Sequence, residues 1–103
     1  MIKRIVKMTF RPDGRASFLE TVFEQSKAQI RAFPGCHHME LLQFADDPNV
    51  LFTLSIWDDE AALDQYRRSE LFQTTWARTK PLFAQKAEAW SVTVLDEEVS
   101  GRG

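Results

Sequence analysis

The chain has 103 residues, a common size for one domain, and its formal net charge is −2. Charged residues are spread along the sequence without a basic stripe, which argues against nucleic acid as a partner. No stretch approaches about 18 consecutive apolar residues, so we expect no contact with a membrane interior.

Cysteine content and the first residues bear on the compartment. Cys36 is the only cysteine, which excludes a disulfide within the chain. Residues 1–7 contain neither a long apolar run nor a small-residue cleavage site, so they do not resemble a secretory signal. These features predict a cytoplasmic protein. We expect one domain over residues 1–103, with its core over about 2–95 and a frayed end at 100–103.

The first predicted element is a strand over residues 2–10, where side chains alternate between two faces. Arg4, Val6 and Met8 share one face of this strand. Lys7 belongs to the other face.

Turn residues occupy positions 12–14, and a helix is predicted to follow them as far as Phe33. Apolar side chains recur at helical spacing from Phe18 onward, with acidic residues early and basic residues late, as the helix dipole favours. Pro34 ends this helix, because proline biases the preceding residue away from the α region.

Two further strands are predicted over residues 36–44 and 50–57. Residues 46–49, Asp-Asp-Pro-Asn, have the chemistry of a turn. The two strands are therefore expected to form an antiparallel hairpin.

A second helical region and a last strand complete the pattern. The acidic residues 58–60 supply a cap and early negative charge, Ser69 caps a new segment, and Pro81 shortens it. A strand follows over residues 89–95. The order is β-α-β-β-α-β, the ferredoxin-like arrangement of the α+β class, with an antiparallel sheet and helices on one face.

Both faces of the predicted sheet carry apolar side chains. Strand three places Phe52, Leu54 and Ile56 on one side and Leu51 and Trp57 on the other. Two helices can cover only one face, and large exposed apolar patches usually mark interfaces. We therefore expect a homodimer, the commonest symmetric assembly; scattered surface apolar residues are the alternative.

Three segments together resemble a known family. They are Phe33–Cys36 leading into a strand, Ser55–Trp57 followed by Ala62, and Tyr66–Phe72. They resemble the antibiotic biosynthesis monooxygenase family of the dimeric α+β barrel superfamily, over about residues 2–95.

The resemblance implies a monooxygenase without metal or organic cofactor that acts on a small aromatic or enolisable molecule. A base would remove a proton, and the substrate carbanion would pass electrons to oxygen. Two other functions stay open, because fold does not imply function. One is a non-catalytic dimer that binds a small molecule or regulates; the other is an isomerase or lyase of the same superfamily.

Haem-degrading members of the family have three marker residues. They carry an Asn on the first strand, a Trp nine residues after the strand-three Trp, and a His ten residues further on. Counted from Trp57, the last two positions hold Tyr66 and Trp76, and the first-strand position is matched to Lys7. The missing His argues against haem as a cofactor.

His37 and His38 are the candidate proton acceptors. They are the only histidines, and adjacent strand residues point to opposite faces, so at most one can face a pocket beneath the helices. A neutral histidine is a suitable base near pH 7. A hydrogen-bonded or surface histidine near a loop is the alternative. We expect no metal site, because the sequence lacks the spacing of metal ligands.

The candidate substrate-binding residues are aromatic: Trp57, Tyr66, Trp76 and Trp90. Their rings could line a flat apolar cavity suited to a polycyclic ligand, and core packing is an equal alternative. Arg67 and Arg68 are expected to be solvated or paired with acidic neighbours, with anion binding as the alternative for Arg67.

Overall fold

Four strands form one antiparallel sheet in the computed structural model, which describes residues 1–98. The predicted frayed end lies outside the described residues. The strands lie in the spatial order β2-β3-β1-β4. With helical connections after β1 and after β3, this confirms the predicted ferredoxin-like arrangement. The strand bounds are β1 Ile2–Thr9, β2 Cys36–Gln43, β3 Val50–Trp57 and β4 Glu88–Thr93.

The first connection is helical but not α-helical throughout. It consists of α1 Pro12–Ser17, a π-helical segment Phe18–Phe23, and α2 Glu24–Arg31. The predicted turn at 12–14 is wrong, because proline suits the first helical position, where its missing N–H costs no hydrogen bond.

Glycine at position 35 ends this connection and lets it approach the second helical region. Gly35 has a φ of 88°, in the left-handed region that glycine adopts without strain. A Cβ atom there would lie 2.6 Å from the Cβ of Ala62. The chain therefore passes close to the next helix before it enters β2.

The second connection contains two capped helices. They are α3 Glu60–Arg68 and α4 Glu70–Thr79, followed by a 3₁₀ turn at Lys80–Leu82. The Asp59 carboxylate accepts from the Ala62 N–H at 2.9 Å, and the Ser69 hydroxyl accepts from the Phe72 N–H at 3.1 Å. Each cap contributes about 1 kcal/mol to helix stability, and both were predicted from the sequence.

The strand register separates the two faces of the sheet. Val6 of the central strand β1 lies opposite Thr53 of β3 and Ala89 of β4, and all three face the helices. Two buried clusters fill the ends of this covered face, one around Met8 and one around Trp57.

The other face of the sheet is apolar and open. Ile5 lies between Leu54 and Trp90 in the register, and Leu42 lies opposite Phe52. Exposed fractions of 41% for Leu42 and 45% for Trp90 show that the helices leave this face uncovered. The prediction that both faces carry apolar side chains is confirmed.

Within residues 1–98, no helix combines the length and the apolar character that crossing a bilayer requires.

Candidate functional site

A cavity of about 310 Å³ lies between the covered face of the sheet and the helices. It touches both buried clusters, since Met8 and Phe18 line it from one and Trp57 and Leu63 from the other. Its volume is at the lower end of the range found for small-molecule sites, about 300–1,000 Å³. The fold therefore leaves room for one compact ligand in the middle of its core.

One wall of the cavity is a continuous strip of aromatic rings. Trp57 and Tyr66 are stacked with their centroids 4.9 Å apart, and Phe72 and Trp76 are stacked at 5.9 Å with an interplanar angle of 12°. Tyr66 and Phe72 join the two pairs edge to face at 5.2 Å. Such a strip offers a ring-shaped ligand both stacking and edge contacts.

The break between α3 and α4 creates this strip. Tyr66 lies in the last turn of α3, and Ser69 ends that helix and caps the next. Phe72 and Trp76 are four residues apart, so they project from the same side of α4. Two short helices thus bring their rings to one wall.

The phenol of Tyr66 is a hydrogen-bond donor at neutral pH. Burial raises its pKa above the ordinary value of a phenol, and the nearby Cys36 would raise it further once its thiol ionises at high pH. Tyr66 therefore keeps its proton and does not act as a base under these conditions.

Most other polar groups of the cavity wall are already hydrogen-bonded. The indole Nε1 of fully buried Trp57 donates to the Ser55 hydroxyl at 2.9 Å. The hydroxyls of Ser26 and Thr79 each donate to a carbonyl of their own helix, at 2.7 Å. These bonds fix the wall and leave few free polar groups for a ligand.

Two guanidinium groups complete the lining. Arg4 reaches the cavity from β1, and Arg67 reaches it from α3. Arg4 donates to the Ser91 hydroxyl at 2.9 Å. Its pKa is lowered by burial and, to a smaller extent, by the positive charge of Arg67.

A family model described as "Antibiotic biosynthesis monooxygenase" matches residues 1–78. The chain belongs to this family. The resemblance seen in the residues alone is therefore confirmed. Among curated proteins none matches the chain.

Several solved structures have the same fold as this family member. Rv0793 from Mycobacterium tuberculosis has a TM-score of 0.85 and 24% identity, over 95% of this chain and 98% of that one. A conserved protein from Methanosarcina mazei Go1 has a TM-score of 0.84 and 22% identity, over 88% and 89%. A variant of SnoaB, a cofactor-independent oxygenase from Streptomyces nogalater, has a TM-score of 0.81 and 21% identity, over 93% and 94%.

Three of the aromatic residues predicted for the site of this family member do line the cavity, and one does not. Trp57, Tyr66 and Trp76 form part of its wall. Trp90 lies on the open face of the sheet, since it is paired with Ile5 in the register. Its placement does not support the predicted role in binding substrate.

Neither histidine lines the cavity, contrary to the expectation that one of them faces it. A β-bulge between Cys36 and His38 interrupts the strand alternation, and His37 pairs with Asp58 at the end of β3. The Nε2 atom of His38 lies 2.8 Å from the Glu40 carboxylate. Both imidazoles are exposed, so the assignment of either as the proton acceptor remains a prediction that the geometry does not support.

Sequence reasoning missed Phe72 and the role of Arg4, although a signal existed for each. Phe72 precedes Trp76 by four residues, and Arg4 is a charged residue on a strand face that is otherwise apolar. The first-strand position matched to Lys7 points away from the cavity, where Lys7 pairs with Glu88 at 3.9 Å.

Proposed function

We propose that this family member is a monooxygenase that needs neither metal nor organic cofactor and oxidises a small aromatic or enolisable molecule. The observation that carries the proposal is the ring-walled cavity, in which Trp57, Tyr66, Phe72 and Trp76 can hold a flat substrate. Membership of the monooxygenase family and the fold shared with SnoaB, a cofactor-independent oxygenase, support it.

The proposed reaction converts a CH₂ group beside an aromatic ring and O₂ into a carbonyl group and water. A C–H proton leaves to solvent, and the resulting carbanion passes one electron to O₂. The carbon radical and superoxide combine, which forms the C–O bond, and the peroxide takes up a proton. Loss of the second C–H proton then breaks the O–O bond, giving the ketone and releasing hydroxide, which becomes water.

The protein's own part in this reaction is to bind, orient and desolvate. Fully buried Trp57 holds the Tyr66 ring by stacking, and Tyr66 with Phe72 and Trp76 would set the plane of the substrate ring. The Tyr66 hydroxyl can donate a hydrogen bond to a substrate oxygen, because its proton is retained. Once the proton has left to solvent, the apolar wall shields the carbanion from water, so that it meets O₂ before it is reprotonated.

A second candidate function is non-catalytic binding of a small aromatic molecule. Among the described residues, the cavity wall contains no carboxylate and no imidazole, so it offers no conventional general base. This favours plain binding over an isomerase or lyase, which would depend on such a base.

Oxygen uptake with a panel of anthrones and quinols separates the two candidates. We expect uptake above the spontaneous rate, and a loss of about tenfold or more in Trp76→Ala, because the ring wall is broken. Leu95→Ala is the control, since Leu95 is fully exposed and lies outside the cavity. If members of the panel bind but none of them causes oxygen uptake, the oxygenase is refuted and the binding function remains.

We also propose that two copies of the chain pair through the open faces of their sheets. The support is the apolar surface formed by Ile5, Leu42, Phe52, Leu54 and Trp90. Covering it would remove an exposed patch that a monomer leaves in water.

A further inference from the structure

Two arginines share the ring-walled cavity, and we infer that its ligand is an aromatic oxyanion whose charged oxygen is held by Arg4 and Arg67. This inference rests on the proposed function for the aromatic part of the ligand. It adds the charge, and with it the class of substrate that the site selects.

Arg4 is a cation with unused donors in an apolar setting. Among the described residues, the side chain of Arg4 donates one hydrogen bond, to the Ser91 hydroxyl. A guanidinium carries five N–H donors, so most of them remain for a ligand. The half-buried position costs hydration, and burial accordingly lowers the pKa of Arg4.

Arg67 lines the cavity without an ion-pair partner among the described residues, whereas its neighbour Arg68 is paired and lies outside. Arg68 forms an ion pair with Asp64 at 2.9 Å and lies outside the cavity. Arg67 lines the cavity, and in the part of the chain that the structure describes no carboxylate lies within ion-pair distance of it. Arg67 also borders a shallow depression together with Glu60 and Asp64, neither of which lines the cavity.

The repulsion between the two cations points to an anion as their common partner. Burial first and the charge of Arg67 second lower the pKa of Arg4. Both arginines line the cavity, Arg67 from an exposed position, and neither forms an ion pair among the described residues. A bound oxyanion would relieve this repulsion and accept hydrogen bonds from both groups. Tyr66 and Arg67 both line the cavity from α3, so the cavity can bring the oxygen and the ring wall to one ligand.

Such a site also accounts for a reaction that has no protein base. An opposite charge within about 4–6 Å lowers the pKa of an acid by about 1–3 units. The two arginines would therefore favour the phenolate or enolate form of a substrate, with solvent taking the proton. A carboxylate on the ring would likewise present a negatively charged oxygen that accepts hydrogen bonds from the guanidinium groups.

Calorimetric titration of the intact chain with a charged and a neutral ligand of one shape tests the inference. The pair is 2-naphthoate and 2-naphthamide, and titration with 2-naphthol across pH distinguishes a phenolate from a carboxylate. We expect naphthoate to bind about tenfold or more tightly than the amide, because hydrogen bonds to charged groups are the stronger ones. Arg67→Gln should reduce this preference to about twofold or less, and Arg4→Lys should keep part of it.

Arg68→Gln is the matched control, because it removes the same charge one position along the helix and outside the cavity. An equal affinity for the two naphthalenes, binding of neither, or an equal loss in Arg68→Gln and Arg67→Gln would overturn the inference. Oxygen uptake is a separate measurement. If no oxygen uptake is found but naphthoate still binds more tightly than the amide, only the proposed oxygenase is refuted. If oxygen is consumed but naphthoate and the amide bind equally, only the anion site is refuted.

Discussion

Tyr66 stands at the centre of the candidate site, because its ring contacts Trp57 on one side and Phe72 on the other. The resemblance to the family selected it and Trp76 from the sequence, because their spacing from Trp57 matches the family's marker positions. The sequence marks Arg4 as a charge on an apolar strand face but could not show that it shares a cavity with Arg67, since that depends on how α3 packs against the sheet.

Tyr66→Phe tests the state of the phenol. The folded state keeps the proton of Tyr66 at a pH where the unfolded chain has lost it, since burial raises the folded pKa above the ordinary value near 10. The stabilising effect is complete below about pH 10 and is lost as pH rises above it, by at most about 1.4 kcal/mol per pH unit. We expect wild type to lose more stability than Tyr66→Phe between about pH 10 and 11 in urea unfolding.

Tyr66 is the only tyrosine, so the tyrosinate absorbance of the folded protein reports on this residue alone. Ionisation of the folded protein at the ordinary pKa of tyrosine would show that the phenol is not shielded. Equal losses of stability in the two proteins would contradict the account as well.

Replacing the two histidines tests whether a base outside the cavity takes part. Removal of a general base lowers turnover by about 10²–10⁴-fold. Because His37 and His38 are held by Asp58 and Glu40 away from the cavity, we expect His37→Ala and His38→Ala to keep turnover within about threefold. A hundredfold loss in either variant would restore the histidine base that the sequence predicted.

At the scale of the elements, the caps were predictable and the irregular segments were not. Asp59 and Ser69 are residue types that favour the N-cap position, so they predict where their helices begin. The π-helical segment Phe18–Phe23 has no such signal, because one wide turn barely alters the apolar spacing. The bulge before His38 was equally hidden, and it breaks the strand alternation on which the prediction about the histidines depended.

Ser69→Ala tests the break that shapes the aromatic wall. The Ser69 hydroxyl accepts from the Phe72 N–H and donates to the Tyr66 carbonyl at 2.6 Å, so it ties the two helices together. We expect a loss of about 1 kcal/mol in the free energy of unfolding, measured by urea titration. Ser17→Ala is the control, since the Ser17 side chain caps nothing. Equal stability of Ser69→Ala and wild type would show that the cap is not what sets the break.

At the scale of the whole molecule, the order of elements and the apolar character of both sheet faces followed from periodicity and turn chemistry. The site could not be predicted from these patterns alone, because the cavity depends on which side chains are too small to fill the space under the helices. Ala89 and Thr53 flank Val6 at that place, and nothing in their spacing marks them as cavity residues.

Leu42→Glu tests pairing through the open face. Leu42 is exposed in the single chain, so the added charge should leave the monomer folded while it opposes burial of the face. Light scattering should give about twice 11.9 kDa for wild type at micromolar concentration and a mass near 11.9 kDa for Leu42→Glu. Gln25→Glu is the control, because Gln25 is an exposed residue of α2 and lies outside the open face of the sheet. A monomeric wild type would end the proposal.

Oxidation of anthrone under ¹⁸O₂ by protein treated with a metal chelator tests the central claim most directly. We expect a rate above that of the spontaneous reaction, one labelled oxygen atom in each molecule of anthraquinone, and the second labelled atom in water. Anthraquinone formed no faster than without protein, unlabelled product, or activity lost on chelation would contradict it.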